Sequence, residues 1–562
     1  MRSRTTLLLV VTLGSGCFDE VWATGSALFP TTSGTTSDTS LEASSSAGPG
    51  TTGELASGGI QTVTGAVASS APEETASLPG STAADHTPPV IEVFSVSPPH
   101  VDEAGTALLH LSASADAVTI RLRRDDEPAA ELTPADFPRP FEVLSEAHDG
   151  QHTFEAVAVD ADGLESAPAS VTLTVDVPAS GTEKCLFETD KTDASVSLSM
   201  IAGLAYTDEA IVAVGTRDTG SGPRLTLWKL GRDHCEVLPG WPRQGVGGLF
   251  NKMSKGTAVA LDEHGNLLVA GFALEGITPR RYLAKLNSEG SLLWESFGQL
   301  GEEIAGVAVS PTPQAAVFAV GWRRSTADPS PTDAAIWMYK PDGTELPPDF
   351  LKAPFTVAEF DPDVDNMYSE RLRAVVFEPL SGFALAVGER ELKSSDLQVY
   401  DRTFLVRMNP VSGREGLPWT SPGAAFNRDT ASAVATCGDE LVAAGWRRDL
   451  VDDAPQPLLQ WFERDGTFIE PQPFAITAAQ FTSVACDREG KIIGVGFRAP
   501  GQLDAFAIAA ARSGGLPIWY ENGAPGEDEA AAASCDSRGF CASGGYRSEK
   551  GKRHAVVRVH HP

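Results

Sequence analysis

The chain has 562 residues, with 43 Lys plus Arg against 75 Asp plus Glu and a formal charge of −32. So acidic a surface argues against nucleic acid as the partner, because phosphate binding needs a basic face that releases counterions; the length exceeds what one domain packs around a single core. Apolar residues at 42% supply real cores, while 54 Gly and 39 Pro signal many turns and favour an all-β chain over a helical one.

Arg2 and Arg4 precede an apolar run from Leu7 to Leu13, which is followed by Gly14, Ser15, Gly16 and Cys17. The run is too short to span a bilayer and reads as an export signal, and no later segment is long and apolar enough to span either. Small residues before a cysteine resemble the lipobox of bacterial lipoproteins. That resemblance implies a signal over residues 1–17, with Cys17 diacylated and first in the mature chain, although the family prefers Leu where Gly14 stands. The alternative is an ordinary secretory signal cut after Ala23, with Cys17 discarded.

Residues 18–87 are rich in Ser, Thr, Gly and Ala, and no Lys or Arg occurs between Arg4 and Arg121. Such a stretch cannot bury enough apolar surface to offset its ordering entropy, so the expectation is a disordered linker. About 70 flexible residues span roughly 45 Å, the reach of a tether.

From Thr87-Pro88-Pro89 the texture changes to alternating apolar segments: Ile91 to Val96, Ala107 to Ala113, Val118 to Leu122, Phe141 to Leu144, Thr153 to Val159 and Val171 to Val177. Short strands with turns between them, such as Asp160-Ala161-Asp162-Gly163, predict a β-sandwich over 88–178. It resembles the immunoglobulin-like modules of bacterial surface proteins, without the Cys and Trp hallmarks of antibody domains; the resemblance implies a spacer.

Repetition dominates the rest. A strand ending in a small residue and Gly recurs at Gly215, Gly271, Gly321, Gly388, Gly445, Gly496 and Gly545, at spacings of 56, 50, 67, 57, 51 and 49. Each Gly follows a strand, a turn and a second strand, and six of the seven precede another strand pair. Four strands per unit of about 50 residues is the period of a β-propeller blade, so residues 183–562 are expected to form a seven-bladed β-propeller. The last unit owns only three strands, and Cys185-Leu186-Phe187-Glu188 is expected to supply the fourth, closing the ring with a strand over 185–190. Asp262 to Gly271, Ala284 to Gly290 and Asp487 to Gly496 resemble the bacterial SBBP-type propeller repeats. The resemblance implies fold, not activity.

Six units place Arg two residues after the repeat Gly: Arg217, Arg323, Arg390, Arg447, Arg498 and Arg547. Seven-fold geometry would set them in a ring. Acids just before the first strand of several blades, Glu302-Glu303, Glu370, Asp429 and Glu527-Asp528-Glu529, suit a structural latch by bidentate ion pairs; an incompletely paired ring would instead bind a carboxylate, sulfate or acidic glycan. Asp361, Asp363 and Asp365, with Asn366 at the turn, offer oxygen ligands at alternate positions for Ca²⁺, but the ninth and twelfth places hold Ser369 and Leu372, so a solvated acidic loop competes. Cys185, Cys235, Cys437, Cys486, Cys535 and Cys541 form an even set for an oxidising compartment. Cys535 and Cys541 flank a turn and suit a hairpin disulfide. Cys437, Cys486 and Cys535, 49 residues apart, read as buried thiols reused by duplication rather than a metal cluster.

Enzyme signatures such as Gly-x-Ser-x-Gly, His-Glu-x-x-His or a phosphate-binding loop are absent from the sequence. Gly290 to Trp294 and Gly515 to Trp519 share one spacing with quinoprotein dehydrogenases, without the rest of that motif. The expectation is a tethered lipoprotein of the bacterial cell envelope, at the outer membrane or surface, or otherwise a secreted or periplasmic protein. It needs no cofactor beyond the candidate Ca²⁺, and its propeller binds a protein or polysaccharide without catalysis. The alternative is a propeller-based periplasmic enzyme, a hydrolase or lyase ahead of a quinoprotein dehydrogenase.

Overall fold

A computed structural model describes residues 87–562 except 104, 126, 144–147, 190–195, 208, 250, 311–316, 325–331, 347–368, 379, 394–398, 412, 415–418, 422–427, 449–453, 474–477, 488, 499–503, 511–517 and 522–527. The expected export signal, Cys17 and nearly all of the expected linker lie outside the described residues. What is described is strand and turn, broken by short 3-10 turns at Pro134–Asp136 and Gly247–Leu249.

The first domain is a β-sandwich. One sheet sets Gly105–Ala113 between Ile91–Ser97 and Arg139–Val143; the other runs in the order His100–Val101, Ala169–Val175, Gly150–Asp160, Ala117–Arg124 and Ala130–Leu132. Alternate residues point inward, so Ala107, Leu109 and Leu111 of one sheet meet Phe154, Ala156 and Ala158 of the other. The turn after Asp160 is fixed by its own side chain, whose Oδ1 accepts from the N–H groups of Asp162 and Leu164 at 2.9 and 2.8 Å, with Gly163 at φ +82°.

The remainder is a seven-bladed β-propeller. Blade 2 shows the plan, with Ser254–Leu261, Leu267–Glu275, Thr278–Leu286 and Leu292–Leu300 paired antiparallel from the innermost strand outward. The innermost strands of blades 1 to 7 are Leu198–Tyr206, Ser254–Leu261, Glu302–Val309, Glu370–Glu378, Arg428–Cys437, Ala479–Cys486 and Asp528–Cys535; each contacts the next, and the last contacts the first. Strands such as Ala210-Ile211-Val212-Ala213-Val214 are apolar without alternation because each sheet is covered on both faces. The cores therefore lie between blades: Val214 and Leu225 of blade 1 pack on Val259 and Val269 of blade 2, and Phe318 and Met338 of blade 3 on Leu372 and Phe404 of blade 4. At the seam, Ile211 and Trp228 of blade 1 meet Phe540 and Val557 of blade 7.

The seam is made by the strand just before blade 1. Glu183–Glu188 pairs antiparallel with Lys552–His560, Glu188 opposite Val556 and Cys185 opposite Val559, and it covers the edge that blade 7 would otherwise expose. It starts two residues earlier than the 185–190 expectation. Phe187 enters the seam core, and a disulfide from Cys185 to Cys235 ties the strand to blade 1 with a Cα separation of 5.7 Å.

Cys437 and Cys486, expected as duplicated thiols, are instead bonded to each other, with Cα atoms 5.3 Å apart. The reason is the repeat itself: 49 residues carry the chain to the equivalent strand end of the neighbouring blade, which lies within disulfide reach. Cys535, at the equivalent position in blade 7, bonds Cys541 across its own hairpin, Cα to Cα 4.0 Å.

One local feature recurs in all seven innermost strands. Each carries a β-bulge, between Ile201 and Gly203, Gly256 and Ala258, Ile304 and Gly306, Leu372 and Ala374, Ala431 and Ala433, Phe481 and Ser483, and Ala530 and Ala532. The repeat glycine sits opposite the first residue of each pair. A Cβ on any of those seven glycines would lie 1.8–2.0 Å from the carbonyl oxygen of Met200, Lys255, Glu303, Arg371, Thr430, Gln480 or Glu529. Any side chain there must push the bulged strand away. The second residue of each bulge pair is Gly, Ala or Ser because neighbouring innermost strands approach closely: a Cβ on Gly203 would stand 3.0 Å from the Ala258 Cα.

Two outcomes are expected. Gly445→Ala, whose new Cβ would lie 1.8 Å from the Thr430 oxygen, should destabilise the propeller by about 3 kcal/mol in denaturant unfolding, while Leu293→Ala at an exposed site should shift it by less than about 0.5 kcal/mol. Deleting residues 183–190 should open the ring and lower the melting temperature sharply; an unchanged melt would defeat closure by this strand.

Candidate functional site

By register, the residues flanking each repeat glycine and those entering each innermost strand share one rim of the ring. Arg390 donates Nε to Glu370 Oε1 at 2.8 Å, with both side chains buried. Arg547 lies 3.6 Å from Asp528 and 3.7 Å from Glu188 of the closing strand. Arg447 is 4.0 Å from Asp429, and Arg323 is 3.8 Å from Asp333. Arg217 stands opposite Ser199 of the innermost strand, and Arg498 stands opposite Ala479 on one side and Asp504 of the third strand on the other.

A second set of arginines, on third strands, reaches from one blade to the entering acid of the next. Arg281 of blade 2 donates Nε to Glu302 of blade 3 at 2.6 Å and both Nη2 bonds to Glu345 at 2.8 and 2.9 Å. Arg402 of blade 4 lies 3.5 Å from Asp429 of blade 5, which also accepts from Ser421 Oγ at 2.9 Å. These were not legible as a repeat, because Arg281 and Arg402 occupy different positions relative to their glycines: Arg281 pairs with Phe272 and Arg402 with Arg390.

Blade 4 breaks the pattern of the rim. The extra residue of each bulge is Ala202, Thr257, Ala305, Arg373, Ser432, Thr482 or Ala531 in blades 1 to 7. In blades 2 and 6 it serves the fold, since Thr257 Oγ1 donates to the Ile304 carbonyl of blade 3 at 2.7 Å and Thr482 Oγ1 to the Ala530 carbonyl of blade 7. Arg373 instead donates Nη2 to Glu389 Oε1 at 2.5 Å, and each of these side chains remains 24% exposed. Its guanidinium carbon lies 5.3 Å from the ring centre of Trp322 in blade 3, and that of Arg371 5.5 Å from the same ring. Glu389 is a departure too: Phe272, Trp322, Trp446, Phe497 and Tyr546 hold the equivalent place in five other blades, and Thr216 in blade 1. Blade 4 also follows the longest interval, 67 residues. Six blades meet the structural demands of the repeat without these side chains, so the fold alone does not require them.

Asp401, on the third strand of blade 4 opposite Glu391, extends the cluster. Burial first, and then repulsion from Glu389 and Glu391, pushes its carboxyl up to about 6 against the opposing pull of Arg428 and Arg448. Burial likewise raises Glu391. At the seam, burial pushes Glu529 up to about 7 despite Arg553 and a hydrogen bond from Tyr546.

Asp361, Asp363 and Asp365 lie outside the described residues. Among the described residues, no group of three or more His, Cys, Asp or Glu side chains is placed to hold a metal ion. Trp294, from the Gly-x-x-x-Trp spacing, donates Nε1 to the Pro341 carbonyl at 3.1 Å and stacks with Tyr339 of blade 3, an inter-blade packing contact.

No family model matches the chain, and no curated protein matches it. Among solved structures, the chain is similar to the WD40 domain of Pan2 from Neurospora crassa (10% identity, TM-score 0.42, 68% of this chain and 95% of that one). It is also similar to the periplasmic gluconolactonase PpgL of Pseudomonas aeruginosa (11%, 0.37, 65% and 96%). A third is the β-propeller domain of the Trilobed protease from Pyrococcus furiosus (8%, 0.37, 67% and 94%). At such identities no activity carries over.

The raised carboxyl yields a pH dependence. The folded chain binds the Asp401 proton more tightly than an unfolded chain, whose ordinary value is about 3.9, so Asp401 lowers stability progressively as pH rises from about 4 to 6 and by a constant amount above. Asp401→Asn should therefore raise the thermal midpoint at pH 7.5 and lose that advantage near pH 4, as read by scanning calorimetry; a variant less stable at pH 7.5 would show that Arg428 and Arg448 outweigh burial.

Proposed function

We propose that this chain is a lipoprotein of a bacterial cell envelope, held by acylated Cys17, whose propeller is a non-enzymatic binding or scaffolding device. The linker over 18–87 gives reach, the sandwich is a spacer, and the propeller engages a protein or polysaccharide. The observation that carries the reading is the blade-4 rim, where Arg373 and Glu389 stand at positions the repeat fills otherwise, beside Trp322, the aromatic that the repeat places in blade 3. Arginine and tryptophan are the side chains that most often dominate binding energy, since each combines large contact area with fixed donors. The even set of six cysteines from Cys185 to Cys541, all engaged in disulfides, supports an extracytoplasmic propeller.

Two measurements test this reading. The wild-type chain should fractionate with membranes and Cys17→Ser with the soluble fraction; a Cys17→Ser chain that still sediments refutes the anchor. Crosslinking capture from intact cells should recover a partner with the wild-type chain and lose it with Arg373→Ala.

A further inference from the structure

The blade-4 rim has a charge arrangement that narrows the class of its ligand. Arg373 and Glu389 neutralise each other at 2.5 Å, yet neither is sealed off from solvent. The guanidinium has five N–H donors in a planar fork and the carboxylate about four acceptor sites, so a single contact leaves hydrogen-bonding capacity on both. Trp322 lies beside them, half-buried, with the guanidiniums of both Arg371 and Arg373 against its ring.

Three ligand classes can be weighed against this arrangement. A carboxylate or phosphate reaching the remaining N–H donors of Arg373 would lie beside the charge of Glu389, which burial and like-charge repulsion already make costly for Glu391 and Asp401. A cation would compete with Arg373 for Glu389 and enter a neighbourhood that also holds Arg371, Arg428 and Arg448. A neutral polyhydroxyl ligand meets neither penalty. Adjacent hydroxyls of a sugar are spaced to donate one hydrogen bond to a carboxylate and accept one from the neighbouring guanidinium, while the apolar face of the ring rests on an indole.

The geometry points to a neutral sugar unit of a polysaccharide as the ligand of the blade-4 rim, held between Arg373 and Glu389 against Trp322. The inference rests on the binding reading above and makes it specific: the ion pair is the clamp and the indole is the platform. Charged-group hydrogen bonds of this kind are worth enough that losing one weakens binding by about tenfold or more.

The test is calorimetric and fluorescence titration of the full chain with three neutral hexasaccharides, the β-1,4 and α-1,4 hexamers of glucose and the β-1,4 hexamer of N-acetylglucosamine, and with polygalacturonate as the acidic counterpart. At least one neutral hexamer should bind saturably and perturb tryptophan emission. Arg373→Ala and Glu389→Gln should each weaken it by about tenfold with the melting temperature nearly unchanged, Trp322→Phe should abolish the emission change, and Ile277→Ser, at a fully exposed turn of blade 2, should bind as wild type. Arg373→Lys, which keeps the charge but not the fork, should fall between. Saturable binding of none of the neutral hexamers, binding of polygalacturonate alone, or wild-type affinity in Arg373→Ala overturns the sugar assignment. If Arg373→Ala nevertheless loses the partner captured from cells, the rim reading stands without it; capture indifferent to Arg373→Ala fails the rim reading itself.

Discussion

A backbone carbonyl lying over a glycine organises the whole ring. The bulge in each innermost strand tips the carbonyl of Met200 and its six counterparts to within 2.0 Å of where a Cβ would stand on the second strand, so glycine alone fits. Bulges strengthen local twist and bend the strand that carries them. Seven equivalent bulges give seven equivalently twisted sheets, whose narrow inner edges tolerate only Gly, Ala or Ser where they crowd together. The repeat glycine is thus the mark of a steric constraint repeated around the ring.

Around that constraint the interfaces divide their work. Hydrophobic cores between facing sheets supply the bulk of the cohesion, as Phe318 against Phe404 does between blades 3 and 4. The rim ion pairs add registry rather than net stability, since taking both charges out of water offsets most of what their attraction returns. Breaking one is a different matter: Arg390 without Glu370 would be a buried charge that has lost its paired carboxylate, at a cost of about 3–5 kcal/mol. Symmetry then makes departures informative, because whatever six blades accomplish with small residues the seventh can accomplish too.

The sequence displayed the parts of this architecture that depend on period. Glycine spacing and paired apolar strands exposed the blades, and the orphan segment near Cys185 exposed the seam. Alternation over 91–177 exposed the sandwich. Arg373 was hidden because its position is defined by the bulge, which adds a residue without a partner and so has no signature in a two-strand pattern. The disulfide between Cys437 and Cys486 was hidden for a related reason: equal spacing looks like duplication in one dimension and becomes adjacency only when the repeats are stacked side by side. The third-strand arginines Arg281 and Arg402 follow no common offset, and only the crossing of blades brings them to Glu302 and Asp429.

The seam also settles how force would travel through the molecule. A pull from the N-terminal side reaches the propeller at Glu183, the start of a six-residue strand that would otherwise unzip one hydrogen bond after another. Before the pull has passed three residues it meets Lys184, clasped by Glu103 of the sandwich and Asp233 of blade 1 at 3.0 Å each, and then the covalent bridge from Cys185 to Cys235. Tension is thereby handed to the body of blade 1 and bypasses the ladder from Leu186 to Glu188. A ring closed by its own leading strand acquires a mechanical fuse at that strand, and here the fuse is wired shut by a bond that only reduction can open.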